Sequence, residues 1–244
     1  MPAGVVLLIV GLVVDAYDGW GGHEFGLNVV SSLTSLCFGA PAALLFFNSL
    51  GSAEVEARQR DRARVRAQAE VERFRDVLLR AFVSGDLGEL GRSAALMRGQ
   101  LARIRMLRNG DPERATAIQE FFVEWDKLGV QAASGSRPVD SFGRIANDRG
   151  QRDVMRVWRD LVKSQWKTLD TEVRPLLKSH DLPFLMPSHA SGAEHAADRL
   201  MAAGRNPWNQ AQANDGAGVA AMQYFMEDLS RLCRAADYLS RAYP

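Results

Sequence analysis

"LNVVSSLTSLCFGAPAALLFFNSL", Leu27 to Leu50, runs for 24 residues without a charged side chain. Wound as an α-helix it measures about 36 Å, enough for a hydrocarbon layer of about 30 Å at a modest tilt. Uncharged length of this kind predicts a membrane-spanning helix, because a buried helix of a globular domain ordinarily keeps a polar face. Pro41 adds a kink that neighbouring helices tolerate in lipid.

A second apolar segment precedes it. "PAGVVLLIVGLVV", Pro2 to Val14, gives about 20 Å of helix, and about 24 Å if extended to Tyr17. It lacks the positive start and small-x-small cleavage site of a signal peptide, so it predicts a crossing helix in a locally thinned bilayer. The intervening "DAYDGWGGHEFG", Asp15 to Gly26, is acidic and glycine-rich and reads as a turn with interfacial Tyr17 and Trp20. His23 reads as an exposed residue of that turn. Residues 1–50 are thus predicted to form a transmembrane hairpin, with helices at about 2–17 and 27–50. Within the second, Ser31, Ser35, Gly39 and Ala43 recur every fourth residue and predict a small-residue packing face.

Charge sets the expected orientation. The first 57 residues carry five acids and no Lys or Arg, whereas the remainder carries 30 basic against 24 acidic side chains. "RQRDRARVR" then places Arg58, Arg60, Arg62, Arg64 and Arg66 within nine positions. Basic residues collect on the cytoplasmic side of membrane helices, so these five predict contact with anionic lipid headgroups. The expected placement is a bacterial-type inner membrane, with the N-terminus and residues 51–244 in the cytoplasm. Alternate-position arginines fall on opposite sides of a helix and lack interleaved aromatics, which argues against nucleic acid. Two cysteines, Cys37 and Cys233, without metal spacing argue against a disulfide framework or structural zinc site.

After Leu50 helical periodicity dominates and predicts an all-α fold: a juxtamembrane stalk helix over 51–84, then a cytoplasmic helical domain over 85–244. Val71, Phe74, Leu78 and Phe82 form the stalk's apolar stripe, with Gly85 as its stop. A helix over 86–108 presents Leu90, Ala94, Met97, Leu101 and Ile104. "RNGDPER" then ends one helix and starts another, with Asp111 as N-cap and Pro112 in the first turn. A fourth helix spans 148–173, with Pro175 ending or kinking it. A short helix is expected over 192–203, a turn at "RNPWNQ", and a last helix over 217–243 with Met222, Phe225, Leu229, Leu232, Ala236 and Leu239 inward. Trp125, Trp158 and Trp166 read as core.

Chemistry is sparse. The patterns GxxxxGK[ST], GxGxxG and GxSxG do not occur in the sequence. His180, His189 and His195, with Glu194, are the candidate metal ligands, although their spacing matches no HExxH helix. No cofactor is predicted. The expected role is a membrane-anchored interaction or scaffold module that binds a protein partner or itself. The alternatives are a metal-dependent enzyme built on the histidine loop, or a membrane-disrupting effector using the small-residue face.

Overall fold

The computed structural model describes Val6, Ile9, Leu12 and Val13 and residues 24–130, 141–213 and 215–244. Every regular element among them is helical, so the chain is all-α. It divides into two units, residues 1–61 and 62–244. The helices are α1 (Glu24–Leu79), α2 (Leu87–Met106), α3 (Pro112–Leu128), α4 (Phe142–Asn147), α5 (Arg149–Thr168), α6 (Arg174–Ser179), α7 (Pro187–Arg199), α8 (Pro207–Ala213) and α9 (Asp215–Ala242).

No helix among the described residues is long and apolar enough to cross a membrane. This finding leaves the predicted transmembrane hairpin without support and contradicts the multi-pass placement in an inner membrane, together with the cytoplasmic assignment derived from it. Absence of charge is a weaker criterion than apolarity. The stretch 27–50 interleaves its hydrophobic residues with Asn28, Ser31, Ser32, Thr34, Ser35, Asn48 and Ser49. Its helix also runs without a break from Glu24 through the charged residues to Leu79, so no separate stalk begins at residue 51. The remainder of the predicted first helix and the turn containing His23 lie outside the described residues. Val6, Ile9, Leu12 and Val13 are exposed, as are Leu44, Leu45, Phe46 and Phe47 on α1.

In the unit 62–244, local signals place the helix starts. Asp86 accepts from the Gly88 and Glu89 amides, Asp111 from Glu113, and Asp148 from Gln151, each satisfying donors that the first turn leaves unpaired. Pro175 does not end its helix. Leu169–Val173 widens into a π-turn, in which the Arg174 amide donates to the Leu169 carbonyl, and helix resumes to Ser179. A proline ring crowds the carbonyl four residues back and lacks an amide, and the wider turn relieves both problems.

Aromatic rings from several helices meet in the core. Phe225 of α9 meets Trp158 of α5 at 6.1 Å, Trp125 of α3 at 6.5 Å and Trp208 of α8 at 5.9 Å. Trp158 also meets Phe82 at 5.5 Å, while Phe74 of α1 meets Trp166 at 5.6 Å. The Trp158 indole N–H donates to the Val77 carbonyl at 2.9 Å, so this ring is satisfied at its polar edge. From Ala63, α1 contributes the buried stripe Ala67, Val71, Phe74 and Leu78, spaced by three or four residues. Truncating the shared ring, Phe225→Ala, should lower unfolding free energy by about 3–5 kcal/mol, measured by urea titration.

Gly129 closes α3 at φ +53°, its amide donating to the Asp126 carbonyl. A Cβ there would lie 2.5 Å from Val83 Cγ2, because the chain leaving α1 is tied down by the Val83 amide on the Leu128 carbonyl at 3.0 Å. Gly129→Ala combines left-handed strain with this collision and should destabilise by about 2 kcal/mol or more. Adding Val83→Ala should recover the steric part and leave the backbone part, a non-additive pair in a double-mutant cycle.

Candidate functional site

Helices α2 and α9 pack antiparallel, with Gly91 against Cys233 at one end and Arg105 bonded to Gln223 at 2.8 Å towards the other. The apolar stripe of α2 and the alternating inward set of α9 produce this pairing, since both faces must leave water. A Cβ on Gly91 would come within 3.2 Å of the Cys233 Cβ, so the backbones approach closely there. The C-terminal half of α9 is left with a polar outer face, and a cleft lies on each side of it.

The larger cleft, about 540 Å³, lies between α9 and the start of α7, with Leu185, His189 and Ala193 facing Arg231, Arg234 and Tyr238. The smaller, about 350 Å³, lies between α9 and α2 and is lined by Arg92, Arg98, Cys233 and Arg234 among others. Both share Arg234, Asp237 and Arg241. Asp237 is already engaged, 2.7 Å from Arg241, and Arg231 is paired with Glu227. Neither Arg98 nor Arg234 has an ion-pair partner among the described residues; the Arg234 Nε donates to the Ser230 carbonyl at 3.4 Å. The groove is therefore cationic with apolar patches, a surface suited to anions carried on an organic frame.

Cys233 contributes no reactivity. Burial pushes its thiol up to about 12, so it behaves as a small hydrophobe. The Ser191 and His195 pair of α7 is also inert as a dyad. His195 Nδ1 lies 2.6 Å from the Ser191 carbonyl, which can only accept, so that nitrogen carries the proton and cannot take one from the hydroxyl 3.2 Å away.

The histidines proposed as metal ligands occupy three different settings. His180 ends α6, His189 borders the larger cleft, and His195 is bonded within its own helix. Among the described residues no three His, Cys, Asp or Glu side chains gather as a metal-holding group. In the small-residue series, Ser35, Gly39 and Ala43 are exposed, nothing lies within 4 Å of a Cβ built on Gly39, and the Ser31 side chain lies outside the description. Arg58 and Arg60 pair with Glu54 and Glu56 one turn earlier, and Arg66 reaches Glu172 at 2.7 Å. Such exposed pairs contribute little stability. The headgroup role of Arg58, Arg60, Arg62, Arg64 and Arg66 and the membrane-packing role of the small face both presupposed a crossing helix that the described residues do not contain.

Sequence reasoning missed the groove because its arginines come from segments 130 residues or more apart. A signal existed on α2: the positions three and four residues either side of Arg98 are Ala94, Ala95, Leu101 and Ala102, so no acid can neutralise it along its own helix. No family model matches the chain, and no curated protein or solved structure matches it either.

One turn before the groove, Asp228 is buried on α9 and holds α7 through Arg199 at 3.3 Å. Burial raises its carboxyl to about 6, against the opposing pull of Arg199 and Arg205. The folded state thus binds this proton more tightly than the unfolded chain does. The resulting stability is present below the unfolded value of about 4 and is lost as pH rises through 6. Asp228→Asn, permanently uncharged, should gain stability relative to wild type between about pH 4 and 6, with the difference constant above pH 7. Urea midpoints at these pH values test this; parallel profiles would contradict it.

Proposed function

We propose that residues 62–244 form a binding module for a protein partner, which docks an acidic segment along the outer face of α9. The observation that carries this reading is the pair of clefts flanking one helix and sharing Arg234 and Arg241. Arginine and an exposed tyrosine beside apolar floor are the side chains that dominate protein recognition sites. Charge complementarity selects a partner rich in carboxylates, whose approach the groove accelerates. A catalytic role finds less support, because Cys233 is an inert thiol and His195 is committed to a backbone carbonyl.

Self-association is the second reading. It is favoured by Leu44, Leu45, Phe46 and Phe47 on the first half of α1, which are each 62–71% exposed. Four consecutive large apolar side chains in water mark a surface that gains by association.

Affinity capture with the full chain separates the two. Wild type should enrich a partner that the charge-reversed Arg234→Glu/Arg241→Glu variant recovers ~tenfold less well, with the loss shrinking in high salt. Equal recovery by both proteins would count against the α9 groove. Recovery dominated by the chain itself, insensitive to those reversals, would favour association through α1.

A further inference from the structure

The smaller cleft carries an unbalanced charge. Arg92 and Arg98 reach it from α2, and Arg234 and Arg241 from α9, with Asp237 as the one carboxylate on its lining. Asp237 is taken by Arg241 at 2.7 Å, and a second bond, from the Arg241 Nε at 3.2 Å, strengthens that pairing. Arg92 has partial compensation, because its charge acts on Asp86 at the head of α2. Arg98 and Arg234 have no ion-pair partner among the described residues. The amino end of α2 does not add to the site, since Asp86 already accepts from the Gly88 and Glu89 amides.

Guanidinium groups converging on one concave surface repel each other unless an anion joins them. A single carboxylate matches one guanidinium fork. Charge from two helices, with two arginines lacking a carboxylate partner and a third partly compensated, matches an ion with two negative charges and three acceptor oxygens. The floor also suits a compact group. Gly91 and Cys233 bring the helices close together, and the cleft volume of about 350 Å³ is small. We propose that this cleft is a binding site for a phosphoryl dianion, gripped by Arg98 from α2 and Arg234 from α9 with Arg92 at the rim. The inference rests on the reading of the α9 face as a recognition surface and specifies its chemistry. The phosphoryl group is supplied either free or on a phosphorylated serine or threonine side chain of the docked segment.

Thermal unfolding of the full chain at pH 8, where phosphate is doubly charged, tests the proposal. Inorganic phosphate at about 30 mM should raise the Tm by a few degrees over sodium chloride of matched ionic strength. Arg98→Gln/Arg234→Gln should lose this shift, with the apparent affinity reduced ~tenfold or more. Arg103→Gln/Arg108→Gln, which removes the same charge from the far end of α2 and the turn after it, should keep the shift. N-acetyl-phosphoserine-amide that binds at least as tightly as inorganic phosphate, with N-acetyl-serine-amide silent, identifies a side-chain phosphate as the source. Phosphate binding with the capped phosphoserine silent identifies the free ion. No shift beyond matched salt, or an equal shift in Arg98→Gln/Arg234→Gln, overturns the site. If phosphate fails while partner capture remains sensitive to Arg234 and Arg241, the docking reading stands on carboxylates alone. If phosphate binds while capture is insensitive, the phosphoryl site stands and the docking reading falls.

Discussion

The packing of Phe225 against Trp158, Trp125 and Trp208 is the constraint on which the unit 62–244 depends. One ring on α9 is shared by three helices whose sequence positions span more than eighty residues. Each ring removes a large apolar area from water, and the edge-to-face arrangements add a smaller orientation-dependent term. Because the same ring serves every partner, the helices cannot slide independently, and the register of α9 is set against all of them together.

That register decides what α9 shows to solvent. With Met222, Phe225, Leu229, Leu232 and Leu239 turned inward, Arg234, Tyr238 and Arg241 are left on the outer side. Gly91 lets α2 approach until Arg92 and Arg98 stand along the same face, and the Asp228–Arg199 pair brings α7 to its other flank. The groove thus follows from core packing on the opposite side of the helix. Its charge persists because the nearby acids are committed, Asp237 to Arg241, Glu227 to Arg231 and Asp86 to a helix start. The two clefts differ in degree. The one beside α7 adds a histidine and a tyrosine to three arginines, whereas the one beside α2 sets four arginines around a floor that includes Leu87, Ala95 and Cys233.

Much of the helical layout was legible residue by residue. Asp86, Asp111 and Asp148 announce their helices through short polar side chains that reach the next free amides, a local effect that needs no fold. The stripes on α2 and α9 were equally readable, and every residue expected to face inward on α2 is buried. The errors have physical causes. Phe142–Asn147 and Pro207–Ala213 are too short to display a period, so they and the Ser-, Pro- and Asn-containing stretches around them read as turn, although Trp208 is core. Pro175 read as an end or a kink, and the helix accommodates it by widening Leu169–Val173 into a π-turn instead of stopping. The stretch 27–50 read as a crossing helix on its length and lack of charge, whereas no helix among the described residues is long and apolar enough to cross a membrane.

By itself the sequence determined the all-α class, the helix starts capped by Asp86, Asp111 and Asp148, and the inward faces of α2 and α9, because capping and periodicity act over one or two turns. It also contained the isolation of Arg98 from any acid on its own helix. Tertiary structure alone decided that Arg98 and Arg234 line one cleft, that Cys233 is buried, and that the three histidines form no common cluster. Those outcomes depend on which helices become neighbours, and neighbours are chosen by the fit of rings in the core, not by the polar residues that end up side by side outside it.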